Sequence, residues 1–571
     1  MDLNLRKFTK IEEVQELLTS KLKTQPQINS YEEFPDQYLF KDMEKAQNLF
    51  INAISNNKKI IIICDSDTDG LSTYVISWFF FKDHFNYDNV ELYITNRNEG
   101  YGFLPFHVER YPGDLYITFD NGITASEAIK AALDTGANVI INDHHQIDPD
   151  NWPLYPEESK DRVAVVDPWQ PEDQFPFKDI SGAVVCWYFY KTIAEKYNLK
   201  IDMYHEFLSE MALTSISDVM PLDRHISRFV VKDFLENKKA QTSKRQYIKT
   251  FLDTKNNEPN AEDIAFGLVP CLNATQRITK ADDGAVFLIQ EDADNSLKWM
   301  EYLDKINDTR KERQQLLLDY IEKTYKDYLP NKNNNLKFIM IPGKFHSGYK
   351  GVLGIIAGRL AEKYRCPAIV LNYNESNKSY SGSGRSVGSI NILELFRKPN
   401  ILPHLTHVGG HKQALGIGIP EDKLNEVYSN ILEEANKLDD SQFIPIVKSV
   451  GYIDLKSLDI DWYYKLNEFE PFGHMFPRPS FTSKVIVKKT TLIGKQKNHL
   501  IMEVTDEKKN MKFKALWFFH GFVPIEGKEY YLTFKPDIDD FRGEAKLALR
   551  VLHLDEINNS DIIIKDAFED L

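Results

Sequence analysis

Ile60-Ile61-Ile62-Ile63-Cys64 is an unbroken apolar run that stops abruptly at Asp65-Ser66-Asp67-Thr68-Asp69-Gly70. A β-branched run of this length predicts a strand buried on both faces of a parallel sheet. The acidic residues at its carboxyl end mark a site, and Gly70 releases the chain into a helix near Leu71. Further apolar runs over residues 90–95, 115–120, 138–143 and 163–167 predict four more strands. Helical patterning covers residues 42–55, 126–136 and Gly182–Lys196. This alternation predicts an α/β fold, a mostly parallel sheet wrapped by helices, with ligands at the strands' carboxyl ends.

Past residue 236 the pattern changes twice. Met300, Leu303, Ile306, Leu317, Ile321 and Tyr325 recur at helical spacing on a charged background, predicting a long connecting helix over 296–328. It serves chiefly as a spacer, with Asn307, Arg310 and Arg313 as candidates to face nucleic acid. A second α/β lobe begins with a strand at 337–341. From about residue 443, short alternating runs at 485–487, 499–504, 512–517, 529–534 and 545–551 predict a small β-barrel.

The strand ends carry candidate chemistry. Residues 115–119 end at Asp120-Asn121-Gly122, residues 138–142 at Asp143-His144-His145, and 212–217 lead into Asp218. One acidic strand end is an ordinary turn or helix-cap signal. Four such sets at one edge of one sheet are hard to explain as turns. Crowded carboxylates raise one another's pKa unless a cation neutralises them. Carboxylate oxygens with imidazole nitrogen suit Mn²⁺ or Mg²⁺ better than a thiolate-preferring ion.

Composition narrows the setting. A chain of 571 residues holds more than one domain. Its four cysteines are scattered, with no CxxC pair, which suits a reducing compartment and argues against a zinc ribbon. The charged opening segment is no signal peptide, and the apolar run at 75–81 is too short to span a membrane, so a cytoplasmic protein is expected. The net charge of −15 excludes a wholly basic nucleic-acid coat but not a local basic channel. Lys484, Lys488, Lys489, Lys495, Lys497, Lys508, Lys509, Lys512 and Lys514 cluster in the barrel region. Trp517, Phe518, Phe519, Tyr530, Tyr531, Phe534 and Phe541 interleave with them. Lysines with aromatics on a small barrel suit single-stranded nucleic acid, with about half of the aromatics expected to be barrel core. Ser381-Gly382-Ser383-Gly384-Arg385-Ser386 predicts an anion-holding loop, and Gly409-Gly410-His411 a second glycine turn.

CDSDTDG, TFDNGIT, NDHHQ and SISDVMPL, in that order, resemble the four motifs of the DHH phosphoesterase superfamily, and specifically its RecJ-type single-strand DNA exonucleases. NRNEGYGFLP, GLVPCLNATQRI, GVLGIIAGRLAEKYRCPAIVL, SGSGRS, HVGGHKQALG and EPFGHMFPRPSF extend the resemblance from Asp42 to about Asp555. It implies a parallel-sheet DHH domain with a helical lead-in (1–235), a helical connector (236–330), a smaller α/β DHH-associated domain (331–440) and an OB-like barrel with an acidic tail (441–571). Asp67, Asp69, Asp120, His144 and Asp218 would hold two Mn²⁺ or Mg²⁺ ions, with Asp120 bridging and Asp65 a ligand or its support. His145 would contact the scissile phosphate and Asp143 would orient a histidine. Arg97, Asn273, Arg277, Ser383, Arg385, Gly409, Gly410 and His411 would hold the strand and its 5′ phosphate in a groove between two lobes. The implied reaction is 5′-to-3′ hydrolysis of single-stranded DNA to mononucleotides by a monomer, with a single-strand-binding protein or helicase as possible partners. The sequence departs from the family's pattern at Ile63, where a histidine is usual, at Val408 of VGGH, and at Gly473-His474-Met475-Phe476-Pro477. The alternatives are a DHH phosphodiesterase of short oligonucleotides, a non-catalytic replication scaffold, and a single-strand-binding module.

Overall fold

The computed structural model describes all residues except 1–4, 98, 148–151, 239–241, 243, 256–258, 332–333, 445, 495–496, 507–510, 519, 540–544, 557–562 and 569–571. The chain divides into two units, one of residues 19–309 with 470–477 and one of residues 1–18 with 310–469 and 478–571.

In the first unit helix α1 (Met43–Ser55) leads to strand β1 (Ile60–Cys64), then α2 (Thr68–Phe79), β2 (Val90–Ile94), β3 (Leu115–Phe119), α3 (Ser126–Asp134), β4 (Asn138–Asn142), β5 (Val163–Val166), α4 (Gly182–Lys196) and α5 (Met203–Ser217). The five strands form one sheet in the order β2-β1-β3-β4-β5, every neighbouring pair parallel. Alternation in β1 divides the core. Ile60, Ile62 and Cys64 enter one apolar layer, while Ile61 and Ile63 enter the other with Tyr116 and Ile141. Ile63 is therefore a packing residue. Each predicted strand forms, and each stops before its terminal acid or threonine, which leaves the ladder.

One expectation is corrected. Residues 212–217 are not at the sheet edge but form the last turns of α5, with Asp218 as the residue that ends the helix. A short apolar run reads alike on a strand and on a buried helix, and only its surroundings decide.

Helices α6 (Val269–Ile278) and α7 (Ala293–Thr324) follow. The spacing on α7 holds, since Met300, Leu303, Ile306, Leu317 and Ile321 are all buried. The boundary between the units falls within this helix.

In the second unit β6 (Ile339–Gly343), α8 (Leu353–Tyr364), β7 (Ala368–Asn374), β8 (Ser379–Arg385), β9 (His407–His411) and β10 (Ala414–Pro420) build a sheet ordered β9-β10-β8-β7-β6. Here the expected Ser381–Ser386 loop is instead mostly strand β8, paired on both sides. Its glycines allow close approach. A Cβ at Gly382 would lie 2.0 Å from the Val370 carbonyl oxygen, so only glycine fits beside β7. The barrel follows as β11 (Phe481–Ile493), β12 (His499–Thr505), β13 (Lys512–Phe518), β14 (Glu529–Asp539) and β15 (Lys546–Glu556). They pair in the order β11-β12-β13-β15-β14, and β14 pairs back onto β11, which closes the barrel. Val485, Val487, Leu500, Met502, Ala515, Leu532 and Phe534 fill it.

Candidate metal centre

The turns after β1, β3 and β4 and the carboxyl end of α5 bring Asp65, Asp67, Asp69, Asp120, His144, His145 and Asp218 together. Their ligand atoms form three sets, each within 4.8 Å: Asp65 with Asp67 and Asp120, Asp69 with His144 and Asp218, and Asp120 with His144 and His145. Asp120 belongs to two of the three.

Each acid is held by a specific local device. The Asp67 side chain caps α2, accepting the Asp69 N–H at 3.0 Å and the Gly70 N–H at 3.3 Å. Asp69, in the first turn of the same helix, accepts the N–H groups of Gly182 at 2.7 Å and Ala183 at 2.8 Å at the start of α4. The positive end of that helix faces a buried anion. Asp65 accepts from the Thr95 hydroxyl at 2.8 Å. Asp120 sits at φ +62°, in the left-handed region.

His144 decides what the cluster needs. Its Nε2 is buried with no hydrogen-bond partner, yet faces carboxylate oxygens of Asp120 at 3.1 Å, Asp218 at 3.5 Å and Asp69 at 3.7 Å. The Ile180 backbone engages its ring, while burial and the neighbouring His145 lower its pKa to about 4. A neutral imidazole thus turns its lone pair toward oxygen lone pairs, an arrangement that a cation between them resolves. The acids show the same strain. Burial, then the charge of Asp67, pushes Asp65 up to about 6 and Asp218 up to about 7. Burial and neighbouring carboxylates raise Asp69 and Asp120 well above the ordinary range. Carboxylate oxygens with imidazole nitrogen fit Mn²⁺ or Mg²⁺.

Beside the cluster stands an ion pair. Asp143 Oδ1 accepts from His145 Nδ1 at 2.7 Å and from the His144 N–H at 2.8 Å, and Oδ2 accepts the Ile123 N–H at 3.0 Å. Burial alone would raise Asp143, but His145 and these donors hold it down to about 2. Burial likewise opposes charge on His145, and Asp143 overcomes it, lifting the imidazole to about 10. Asp143 thus favours the charged form of His145, which is partly exposed at the rim of the acid cluster.

Three family models match in chain order: the DHH family N-terminal domain over residues 59–215, the DHHA1 domain over 341–437 and the RecJ OB domain over 451–553. The chain belongs to the RecJ family. It is 29% identical over 533 residues to the single-stranded-DNA-specific exonuclease RecJ of Bacillus subtilis, covering 91% of this chain and 64% of that protein. To the RecJ of Escherichia coli it is 27% identical, covering 89% of each chain. The solved RecJ of Thermus thermophilus shares its fold. In complex with Mn²⁺ that structure superposes with a TM-score of 0.73 at 21% identity, covering 97% of this chain and 80% of that one. Its Mg²⁺ complex gives 0.68 at 20% identity, covering 97% and 78%.

The other expected site residues of this RecJ-family chain take varied positions. Asn273 Oδ1 accepts from both the N–H and the hydroxyl of Thr68 at 3.0 Å, so its carbonyl is spent bracing the start of α2. Arg97 is exposed and donates to Gln276 Oε1 at 3.2 Å, an oxygen that also accepts from Ser66. Arg277 lies beside Gln276 on α6. In the second unit Ser383 and Arg385 share one face of β8, against the first turns of α8. A Cβ on Gly354 would come within 3.3 Å of both side chains. Arg385 is half-buried, its Nη1 donating to the Gly384 carbonyl at 2.8 Å, and burial lowers its pKa. Gly409, Gly410 and His411 lie on β9, the exposed edge strand.

On the barrel, Lys489, Lys512 and Lys514 line a groove of about 370 Å³ with Thr491, Ile501 and Glu503. Part of the expected charge is neutralised internally, since Lys512 pairs with Glu503 and Lys514 with Asp539. Trp517, Tyr530 and Phe534 are core, whereas Phe518 is 47% exposed. Lys495, Lys508, Lys509, Phe519 and Phe541 lie outside the described residues.

Sequence reasoning missed two neighbours of the cluster. Asp167, following β5, is fully buried, with Oδ1 on the Trp169 N–H at 2.7 Å and its pKa raised by burial and by Asp143. Its place at a strand end was the available signal. Tyr101 packs edge-on to His145, ring centroids 6.4 Å apart, and its place within NRNEGYGFLP was the signal there.

Proposed function

We propose that this chain hydrolyses phosphodiester bonds of single-stranded DNA with two divalent cations, proceeding 5′ to 3′ and releasing 5′-mononucleotides. The observation that carries the reading is the unpartnered His144 Nε2 ringed by Asp69, Asp120 and Asp218. The named activity of the curated relatives, single-stranded-DNA-specific exonuclease, supports the substrate. Asp67, Asp69, Asp120, His144 and Asp218 would hold the ions, with Asp65 a further donor beside Asp67 and Asp120. When bound, the ions supply a nucleophile at neutral pH and offset the charge that builds on phosphorus and the leaving oxygen.

The chain's own groups do the rest. His145, oriented by Asp143 at 2.7 Å, offers a hydrogen bond to a non-bridging phosphate oxygen. The first turn of α4 keeps Asp69 fixed, so the site changes little as charge develops. Ser383 and Arg385 are the proposed holders of the 5′ phosphate, while Arg97, Arg277 and His411 serve the strand. The proposed division is a DHH domain to residue 235, a connector to 330, the DHHA1 domain to 440 and the barrel beyond. Among the described residues no helix is long and apolar enough to cross a membrane. A cytoplasmic monomer, working with a single-strand-binding protein or a helicase, fits this reading.

EDTA is expected to abolish release of acid-soluble nucleotide from single-stranded DNA, and Mn²⁺ or Mg²⁺ to restore it. Undiminished hydrolysis in EDTA contradicts the two-ion assignment.

Two further results separate binding from chemistry. Neutralising Lys489, Lys512 and Lys514 is expected to weaken binding of a long single strand and to lower its salt slope by about 0.7 for each phosphate left without a cation. Cleavage of a dinucleotide should stay nearly constant. Arg385→Lys keeps the charge but loses the planar fork, so turnover of 5′-phosphorylated strands should fall about as far as in Arg385→Ala. Turnover of 5′-hydroxyl strands, compared at one salt concentration, should fall much less. Equal slowing of both would assign Arg385 to the strand in general.

A further inference from the structure

The acid turn after β1 is gripped by α6 through the two residues that lie between its aspartates. Thr68 donates its N–H and its hydroxyl to Asn273, and the Ser66 hydroxyl donates to Gln276 Oε1 at 3.1 Å. Gln276 stands one helical turn after Asn273 and is 9% exposed. The same Oε1 accepts Arg97 Nη1 at 3.2 Å. A carbonyl oxygen has two lone pairs, so both are in use and the amide cannot turn without losing a bond. Arg97 itself is exposed and makes no ion pair among the described residues. Two residues before it, the Thr95 hydroxyl donates to Asp65 at 2.8 Å. The segment after β2 is thus tied to consecutive residues of the acid turn, to Asp65 directly and to Ser66 through Gln276.

We propose that Gln276 is a positioning residue that holds Arg97, with its charge unneutralised, for a phosphate of the strand. This rests on the reading above, in which Arg97 serves the strand, and adds what orients that cation. An amide oxygen fixes one N–H of the guanidinium and leaves its charge whole. A carboxylate in its place would neutralise the cation and set a further anion beside Asp65 and Asp67. The other guanidinium donors stay available for phosphate oxygens, and a side chain already oriented loses less freedom on binding. Ser66 lies between Asp65 and Asp67, so one side chain registers the strand contact to the metal cluster.

The test is a double-mutant cycle on the full chain, read by fluorescence anisotropy of a labelled single strand in EDTA, where the strand stays intact. Gln276→Met fills similar space without an acceptor, and should weaken binding about fivefold. Arg97 keeps its charge in that variant, so the slope of log affinity against log salt should not change. Gln276→Glu pairs with Arg97 and should lower the slope by about 0.7, the loss of one phosphate contact. In the Arg97→Ala background Gln276→Met should weaken binding no further. With Mn²⁺ present, Gln276→Met should raise KM about fivefold with a smaller change in kcat. An equal effect of Gln276→Met with and without Arg97 would show that Gln276 acts on the turn alone, and overturns the proposal. Undiminished binding by both Gln276 variants overturns it as well. Binding indifferent to Arg97→Ala would refute the assignment of Arg97 to the strand, and the proposal with it.

Discussion

Asp120→Asn is expected to lose about 10³-fold or more in hydrolysis while making the metal-free protein more stable. Asp120 belongs to two of the three ligand sets, so its loss weakens both proposed ion positions. It is also buried among Asp69, Asp67, Asp65 and Asp218, which raise its pKa after burial itself. Asparagine tolerates the left-handed backbone at φ +62°, whereas alanine there would add strain unrelated to chemistry. The sign of the pH effect follows from the raised pKa values. Asp65 near 6 and Asp218 near 7 bind protons more tightly folded than unfolded, so stability present in acid is lost as pH rises through these values. In EDTA the Tm should therefore fall between about pH 5 and 8. In Asp120→Asn the curve should be flatter and higher by about 2–4 °C. Mn²⁺ displaces the bound protons, so its affinity should rise with pH over the same window. Calorimetry with and without Mn²⁺ checks each part. A destabilised metal-free variant would contradict the repulsion on which the site is built.

Gly182→Ala is the second large effect, because it reaches the site through packing alone. A Cβ at this first residue of α4 would lie 2.8 Å from the Cβ and Oδ1 of Asp120. The same residue donates its N–H to Asp69 at 2.7 Å, so the helix cannot retreat without releasing that acid. Asp120 must shift instead, and a misplacement of this kind costs about 10²-fold in kcat. Alanine's better helix propensity offsets part of the strain, so the Tm should change little. Steady-state turnover and Mn²⁺ affinity should therefore fall together while thermal unfolding stays in place. Full activity would show that the Asp120 position tolerates displacement.

Much of the site was legible because strand ends are legible. A run such as Ile60–Cys64 has few alternatives to a buried strand, and the acids that follow β1, β3 and β4 then share one edge of the sheet. Asp218 is legible through its motif, but the element that carries it is not. Residues 212–217 are apolar enough for a strand, and only tertiary packing makes them helix. The Ser381–Ser386 stretch misleads for the opposite reason. Glycine and serine have poor strand propensity, yet here glycine is what β7 and β8 need to approach. Support that comes from distant segments left no local trace. The clasp of Asn273 on Thr68, the α4 amides on Asp69 and the Thr95 hydroxyl on Asp65 join residues separated by tens to hundreds of positions.

The most direct test of the central claim is a time course on one single-stranded oligonucleotide, labelled in parallel at its 5′ or its 3′ end, with Mn²⁺ present. A 5′-to-3′ exonuclease releases the 5′ label as a mononucleotide from the earliest times, while the 3′ label passes through a ladder of shortening fragments. The same sequence as a blunt duplex should survive. Early release of the 3′ label, internal fragments from both labels, or equal digestion of the duplex would contradict the account.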